Sequence, residues 1–489
     1  MSVREGEQTI DETRQGESFA PITGESSGES RKLYLESYGC AMNFSDSEIV
    51  VSILSDAGFV TTQDADEADL VLINTCSIRD NAEKRIRNRL QHLKRQKRLK
   101  PALKIGILGC MAERLRDQLL EEEQLVDMVV GPDAYRDLPR LFEEVSTGQK
   151  AVNTLLSREE TYAEIEPVRL DKNGVTSFVS IMRGCDNMCT FCVVPFTRGR
   201  ERSRDPQSIV AECHTLFEKG YREVTLLGQN VDSYKWNLDN KGQVKDPAVP
   251  VVRFADLLIL VAAVNPDLRV RFSTSHPKDM TDDVLLAMAS HTNLCKYIHL
   301  PVQSGNSDVL KRMNRGYTRE WYLDRVAAIR RIMPACAIST DVISGFCGET
   351  LAEHESTLSL MREVRYDMAF MFKYSERPRT LAERKFEDDV TDEEKGRRLQ
   401  EVIDLQSSHA RARITDQVGP IYKVLIEGTS RKSEDELFGR NTFNGVLVFA
   451  RGQHQVGQYV FVRASSATGV TLHGEVVSEA IANEEGYVE

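Results

Sequence analysis

Cys185, Cys189 and Cys192 sit in the stretch Arg183-Gly-Cys-Asp-Asn-Met-Cys-Thr-Phe-Cys192. A C-x3-C-x2-C spacing lets one tight loop offer three thiolates to three irons of a cubane 4Fe-4S cluster, and the fourth iron is left without a protein ligand. An open iron is a site for chemistry. The methionine end of S-adenosylmethionine (SAM) can chelate it, and an electron delivered there breaks the sulfonium to a 5′-deoxyadenosyl radical. The competing reading is structural zinc, which wants four closed ligands, usually from two C-x2-4-C or His-containing pairs. No second pair lies in range.

A second set of thiols lies upstream. Leu33-Tyr-Leu-Glu-Ser-Tyr-Gly-Cys40, Leu70-Val-Leu-Ile-Asn-Thr-Cys76 and Lys104-Ile-Gly-Ile-Leu-Gly-Cys110 are each a short apolar strand that ends in cysteine and runs into a helical pattern. Their nearly equal spacing is close to one βαβ unit of about 30 or more residues. Parallel strands in such units bring Cys40, Cys76 and Cys110 to one edge. That edge, the carboxyl end of an open α/β sheet, is where such folds place ligands. Buried cysteines are common in sheets, but three at equivalent strand ends point to a second iron-sulfur cluster, again with one open iron.

The elements that must position these thiols divide the 489 residues into three folded segments. Residues 1–30, rich in Glu, Ser and Gly with few large apolar side chains, read as a disordered acidic arm. Residues 31–150 form the open parallel α/β domain. Residues 171–403 alternate strand and helix six times, with strands expected at 176–182, 223–227, 269–273, 296–300, 337–343 and 368–372. Six βα units with a cysteine loop after the first strand predict a partial (β/α)6 barrel whose site lies at the carboxyl ends of its strands. Residues 406–480 switch to β patterning at 421–427, 445–449, 459–463 and 471–477, which predicts a small β-barrel of a kind that often binds RNA.

The longest apolar run, Phe254 to Val264, is interrupted by Asp256 and far short of the roughly 20 residues that span a bilayer, so it reads as a buried helix. The amino terminus carries no apolar export signal, which predicts a cytoplasmic chain with no membrane association. In a reducing compartment its ten cysteines are ligands or core residues rather than a disulfide framework. A net charge of −12 argues against indiscriminate nucleic-acid binding, so any RNA contact must come from a local basic patch.

Five further stretches carry a resemblance: Asn74-Thr-Cys-Ser-Ile-Arg-Asp-Asn-Ala-Glu83, Cys189-Thr-Phe-Cys-Val-Val-Pro-Phe-Thr-Arg-Gly-Arg-Glu-Arg-Ser-Arg204, Leu300-Pro-Val-Gln-Ser-Gly305, Thr340-Asp-Val-Ile-Ser-Gly-Phe346 and Met371-Phe-Lys-Tyr-Ser-Glu-Arg-Pro-Arg-Thr380. With the three-part organisation, they make the chain beyond residue 30 resemble the methylthiotransferase family of radical SAM enzymes, with a TRAM-like β-barrel at the carboxyl end. The resemblance implies an auxiliary 4Fe-4S cluster on Cys40, Cys76 and Cys110 and the radical SAM cluster on Cys185, Cys189 and Cys192. It implies two SAM molecules per turnover, one as methyl donor and one as radical source.

The implied product is a methylthio group on carbon 2 of an N(6)-isopentenyladenosine beside the anticodon of tRNA. The implied partners are that anticodon stem-loop and a small electron-donor protein such as a flavodoxin, with the chain acting as a monomer. The nearest alternatives are the same chemistry on threonylcarbamoyl-adenosine in tRNA or on a ribosomal-protein aspartate; a non-catalytic iron-sulfur RNA-binding protein is a different class. The sequence departs from the family pattern twice, at Cys347, where proline is general, and at Arg379, where glycine is expected.

Against this background Phe191 either borders the SAM adenine or simply packs. Gly228, Gln229 and Asn230 follow the second barrel strand, where groups can face the SAM amine. Ser273, Gln303, Ser304 and Asp341 lie at later strand ends and either bind ribose or carboxylate or cap helices. Cys213, Cys295 and Cys336 fall in apolar patterns and read as core, and Cys347 as an inert neighbour of the site. Residues 84–104 hold ten Lys or Arg and no acid, which predicts phosphate contact through Arg95, Lys97 and Arg98. Arg198, Arg200, Arg202 and Arg204 form a second basic group whose role could be SAM, RNA or the fold.

Overall fold

The computed structural model describes residues 30–76, 80–170, 173–239 and 242–489, with side chains in the helix that starts at Asp80 described from residue 85 on. The arm expected over residues 1–30 lies, except for Ser30, outside the described residues, as do Ser77, Ile78 and Arg79 of the second cysteine motif.

The first domain is a six-stranded, wholly parallel sheet of β1 (Arg31–Ser37), β2 (Phe59–Thr61), β3 (Leu70–Thr75), β4 (Lys104–Gly109), β5 (Met128–Val130) and β6 (Ala151–Asn153) in the order β2-β1-β3-β4-β5-β6. Every residue of β3 is buried because helices cover both faces, as a parallel sheet requires. Leu33, Leu35, Leu70 and Leu72 pack on one face with α1 (Ala41–Asp56), and Tyr34, Val71, Ile73, Ile105 and Ile107 pack on the other with α2 (Asp80–Leu99). Strand order reverses between β1 and β3, so the crevice outside their carboxyl ends is the expected ligand position. The three cysteines fall there. Cys40 lies between β1 and α1, Cys76 directly follows β3, and Cys110 opens α3 (Cys110–Leu115) after β4.

The second domain holds all six expected strands within a few residues of their predicted bounds: β7 (Thr176–Ser180), β8 (Glu223–Leu227), β9 (Arg269–Ser273), β10 (Tyr297–His299), β11 (Ala337–Ser344) and β12 (Met368–Lys373). They form two parallel three-stranded sheets, β9-β8-β7 and β10-β11-β12. A parallel bridge between Val270 and Leu294 joins them, with Val270 N donating to Asn293 O at 2.8 Å and Cys295 N to Val270 O at 3.0 Å. The result is a partial (β/α)6 barrel. The run expected as a buried helix is a helix over Phe254–Ala262, but only one face is buried, since Ile259 and Leu260 are exposed; Cys213, Cys295 and Cys336 are buried core residues.

The expected boundary at 403–406 needs correction. The helix α4 (Asp392–Asp416) runs through it without interruption, capped by Thr391, whose hydroxyl accepts from Glu394 N at 3.3 Å. From Asp392 onward no Gly-Pro pair interrupts the chain until Gly419-Pro420, and the closed β-barrel begins there. Its strands are β13 (Ile421–Thr429), β14 (Glu436–Arg440), β15 (Val446–Ala450), β16 (Tyr459–Thr468) and β17 (Thr471–Val477), in the order β13-β14-β15-β17-β16. β14 was not expected. Its Glu-Leu-Phe-Gly-Arg sequence has a glycine because a Cβ at Gly439 would lie 2.0 Å from Leu425 O on the neighbouring strand.

The closed barrel docks on the amino ends of the parallel strands. Glu223, first residue of β8, accepts from Arg271 Nε and from Arg440 Nη2, each at 2.8 Å, and is buried. Arg271 Nη2 donates to Asn441 O at 2.7 Å, and Tyr459 Oη donates to Asp267 O at 3.0 Å. A buried carboxylate with two guanidinium partners fixes this orientation, because neither partner can leave without stranding a charge.

Candidate active site

Two glycines let the upstream cysteine loops approach one another. Gly39 has φ +130°, and a Cβ there would lie 2.4 Å from Cys76 Cβ; Gly109 has φ +87°, and a Cβ there would lie 2.5 Å from Asn74 Oδ1. The loops are then pinned by side chains. Asn43 Nδ2 donates to Asn74 Oδ1 at 3.1 Å and Thr75 O at 3.0 Å, and Asn74 Nδ2 returns a bond to Asn43 O at 2.7 Å. Thr75 Oγ1 donates to Leu108 O at 2.9 Å, tying the end of β3 to that of β4. Cys40 Sγ lies 3.2 Å from Asn43 Oδ1. A hydrogen bond with Cys76, the largest influence, holds the Cys40 thiol below its ordinary range against burial, and the Arg198 charge adds to the effect.

The downstream loop is held as firmly. Gly184 N donates to Gln229 Oε1 at 2.5 Å, Cys185 N to Gly199 O at 3.2 Å and Thr190 N to Met313 O at 3.0 Å. Arg315 Nη1 donates to Cys189 Sγ at 3.2 Å, while its Nη2 is anchored on Pro301 O at 2.7 Å. Burial pushes the Cys185 thiol up to about 12, with Cys192 adding, and the Cys192 thiol up to about 12, with Cys189 adding. Cys185 and Cys192 therefore stay neutral until metal displaces their protons.

The residues present fit iron-sulfur sites. Each set is all cysteine, and each has an arginine N–H on one sulfur, the outer-sphere contact that tunes such centres. Among the described residues no three His, Cys, Asp or Glu side chains converge as a single metal ion would need. This does not count against a cubane, whose irons each meet a separate thiolate.

Arg198 joins the two sites. It caps the short helix Val194–Thr197 that follows Cys192, yet its Nε donates to Cys110 Sγ at 3.2 Å in the other domain and its Nη2 to Asp46 Oδ2 at 2.8 Å. Asp46 Oδ1 also accepts from Arg183 Nη1 at 2.8 Å, and Arg202 Nη2 spans both oxygens of Asp133 at 2.9 and 3.0 Å. Arg183, Arg198, Arg202, Asp46 and Asp133 are all buried. The second basic group is thus mostly an inter-domain lattice rather than an RNA surface. Arg204 pairs with Glu212, and Arg200 alone is exposed. Cys110 is near enough to Cys192 to raise its proton affinity, so the two thiol sets face a common interface.

The other expected site residues separate. Gly228 is required where a Cβ would lie 2.4 Å from Met182 Cγ; Gln229 positions the cysteine loop; Asn230 Nδ2 donates to Asp279 Oδ2 at 2.7 Å. Asn230 Oδ1, Asp232 Oδ2 and Glu201 Oε1 are buried acceptors without a hydrogen-bond partner among the described residues, with Lys235 Nζ 3.8 Å from Glu201 Oε1. Glu201 and Asp232 carry no local sequence signal and were not anticipated. Ser273 closes β9. Gln303, at φ +71°, pairs its backbone with Asp341 O and Ile343 N, and Asp341 Oδ1 faces His299 Nε2 at 3.4 Å. Ser304 is buried with its hydroxyl 3.3 Å from Thr357 Oγ1, a wall contact. Phe191 packs against the group containing Val309, Met313, Phe346 and Cys347. In that setting Cys347 is 1% exposed, and burial raises the proton affinity of its thiol.

In α2, Arg95 and Arg98 are exposed, but Lys97 is not available as expected: its Nζ donates to Asp127 Oδ2 at 2.6 Å. Arg87 likewise binds Glu122 and Glu123, Arg89 binds Glu36, and Lys100 binds Asp69. The acids that the stretch lacks come from neighbouring segments, which a one-signed sequence window cannot reveal.

Residues 32–131 match the family described as Uncharacterized protein family UPF0004, residues 179–361 the Radical SAM superfamily and residues 416–477 the TRAM domain. The chain is 60% identical over 449 residues to a tRNA-2-methylthio-N(6)-dimethylallyladenosine synthase of Amoebophilus asiaticus, covering 91% of this chain and 92% of that protein. A synthase of the same description from Christiangramia forsetii is 56% identical over 476 residues, 96% of this chain and 98% of its own. Among solved structures, the radical S-adenosylmethionine methyltransferase TsrM from Kitasatospora setae shares the fold, with a TM-score of 0.50 at 14% identity over 70% of this chain and 73% of that one.

Proposed function

The chain belongs to the tRNA-2-methylthio-N(6)-dimethylallyladenosine synthase family of radical SAM methylthiotransferases, and from that premise we propose that it places a methylthio group on carbon 2 of N(6)-isopentenyladenosine beside the anticodon. Cys185, Cys189 and Cys192 would hold one 4Fe-4S cluster and Cys40, Cys76 and Cys110 the other, each leaving one iron for an exogenous ligand. Two SAM molecules would be used per turnover. When bound, these groups supply a methyl donor, a place for sulfur and a carbon-centred radical able to attack a C–H bond that acid-base chemistry leaves inert.

The chain's own residues do the rest. Glu201, Asp232 and Asn230 offer buried acceptors where an ammonium must be oriented, Gln229 fixes the loop that presents Cys185, and Arg315 holds the Cys189 sulfur. The observation that carries the reading is the meeting of two three-cysteine sites at one buried lattice, with Arg198 of the barrel on Cys110 of the α/β domain. Two thiol sets with separate duties suit a reaction that must both hold sulfur and generate a radical.

Its RNA substrate would be an anticodon stem-loop carrying the prenylated base, read in the cytoplasm where tRNA is modified. A small electron-donor protein would supply the electron, and the chain would act as a monomer. Among the described residues no helix is long and apolar enough to cross a membrane. The test offers reduced, reconstituted protein with SAM and sulfide to three stem-loops: unmodified, isopentenylated and threonylcarbamoylated. Methylthio product on the isopentenylated RNA is expected; product mainly on the threonylcarbamoylated RNA would overturn the substrate reading.

A further inference from the structure

Arg198 has four features that its place in the fold does not require together. It belongs to the barrel, yet its Nε donates to a thiol of the α/β domain, Cys110 Sγ, at 3.2 Å. Its Nη2 is anchored on Asp46 Oδ2 at 2.8 Å, so the guanidinium is held in one orientation. It is 3% exposed. Its Nη1 is buried and has no hydrogen-bond partner among the described residues. An arginine that served only to join the domains would spend its donors on the two domains, as Arg202 does with Asp133, Ser157 O and Glu160 O. Leaving a charged N–H buried and unfilled is costly unless something else takes it.

The charge is directed at the thiols. Arg198 Nε lies 3.2 Å from Cys110 Sγ while Nη2 is anchored on Asp46 Oδ2 at 2.8 Å, so the guanidinium charge stands directly beside the sulfur. The arrangement is a rigid donor beside sulfur ligands, with one further donor to spare.

We propose that Arg198 is a positioning residue for the Cys40, Cys76 and Cys110 site: its Nε–H bond tunes the group held by those thiols, and its unfilled Nη1 donates to a sulfur anion carried there. The ligand class is a small thiolate or sulfide, an anion suited to the remaining donor of a buried guanidinium. The inference rests on the reading of these cysteines as a cluster site. That reading fails separately, through iron content. A guanidinium aimed at the sulfur anion from the barrel side also gives the two domains a chemical reason to meet at this residue. Separation of the domains would remove the donor from the thiols, whereas a site confined to one domain would keep it.

The test uses the full chain with Cys185, Cys189 and Cys192 changed to Ala, so that only the upstream site can load. Reconstitution to about four irons supports the cluster reading on which the inference depends, and absence of iron there overturns that reading without reference to Arg198. In this background Arg198→Lys and Arg198→Gln are compared for midpoint potential, followed by electron paramagnetic resonance, and for affinity toward methanethiolate as probe.

Both variants should hold iron, with the potential shifting negative in the order wild type, Lys, Gln, since hydrogen bonds to cluster sulfur raise it. Methanethiolate should bind about 10- to 100-fold more weakly to the Gln variant, the range found when outer-sphere partners of a metal site are removed. Unchanged potential and unchanged methanethiolate affinity at full iron content would overturn the proposal. So would loss of iron from both variants along with the wild-type melting transition, because Arg198 would then be a fold residue only.

Discussion

Asp46 Oδ1 and Arg183 Nη1 meet at 2.8 Å across 137 residues of sequence, and neither side chain reaches solvent. Asp46 stands in the helix that follows the first upstream cysteine, Arg183 two residues before the first cysteine of the barrel. With Arg198 on its other oxygen, Asp46 is shared between two buried cations, Arg183 and Arg198.

Asp46→Asn should therefore destabilise far more than a surface ion pair would. Removing one partner of a buried pair costs on the order of 3–5 kcal/mol because the charges left behind stay desolvated. Denaturant unfolding of the apoprotein should show this loss, and limited proteolysis should find the junction between the α/β domain and the barrel opened. A change of less than about 1 kcal/mol, the value of exposed pairs, would show that the lattice is not the joint.

The two thiol sets should separate by function. Wild-type protein reconstituted without oxygen should carry about eight irons, and Cys185→Ala and Cys76→Ala about four each. Cys185→Ala should form no 5′-deoxyadenosine on reduction with SAM. Cys76→Ala should still form it while making no methylthio product. Product chromatography and iron assay read both outcomes, and equal product from the two variants would reverse the assignment.

In α2 the prediction divides neighbouring residues. Reversing Arg95 and Arg98, both exposed, to Glu should weaken tRNA binding and flatten its salt dependence by roughly 0.7–0.9 in log–log slope for each phosphate no longer neutralised. Lys97→Glu should instead lower stability, because it places an acid against Asp127. Binding isotherms across a salt series and thermal melts distinguish the two. Equal weakening of affinity at positions 95 and 97, with stability unchanged at position 97, would contradict the ion pair.

Arg379 adopts φ +71°, in the left-handed region, at the position where the family pattern carries glycine. An L-residue there costs about 1–2 kcal/mol, partly offset when glycine is introduced because the unfolded chain gains freedom. Arg379→Gly should raise stability by about 0.5–1 kcal/mol, read as a higher melting temperature. A lower melting temperature would mean that contacts of the Arg379 backbone with Glu383 and Arg384 depend on the arginine side chain.

Burial pushes the Glu201 carboxyl up to about 7, with its Ser233 bond and Lys235 opposing and Asp186 and Asp279 adding to the rise. A raised value in the folded state means that unfolding releases a proton, so stability present below pH 4.5 is lost as pH rises through 7. Glu201→Gln should track the wild type at pH 4.5 and exceed it by up to roughly 3 kcal/mol at pH 8, measured on the apoprotein. Parallel stability curves over that window would remove the buried charge from the account.

Local patterning located what depends on local patterning. Alternation and strand-end cysteines placed β1, β3 and β4, and all six barrel strands, because a buried strand must be apolar whatever its partner is. The contacts that make the site a site were not legible in this way. Nothing near Arg198 announces Cys110, and nothing near Asp46 announces Arg183, since their meeting is fixed by domain packing. The same limit hid the acids that neutralise Lys97 and made a run of like charge look like a surface. β14 escaped because its place in the closed barrel depends on a missing side chain at Gly439 rather than on an apolar run.

The closed barrel grips the amino ends of the parallel strands through Glu223, Arg271 and Arg440, whereas the cysteine loop opens at their carboxyl ends. β8 alone is five residues long, which at about 3.3 Å per residue puts some 15 Å or more between the two ends. The strands therefore act as a spacer. An RNA that touches the closed barrel while its reacting base sits by the thiols must lie along the flank of the molecule. A closed barrel that gripped RNA would then set how far the reacting base stands from the gripped part, and would leave that base to the cysteine-bearing end.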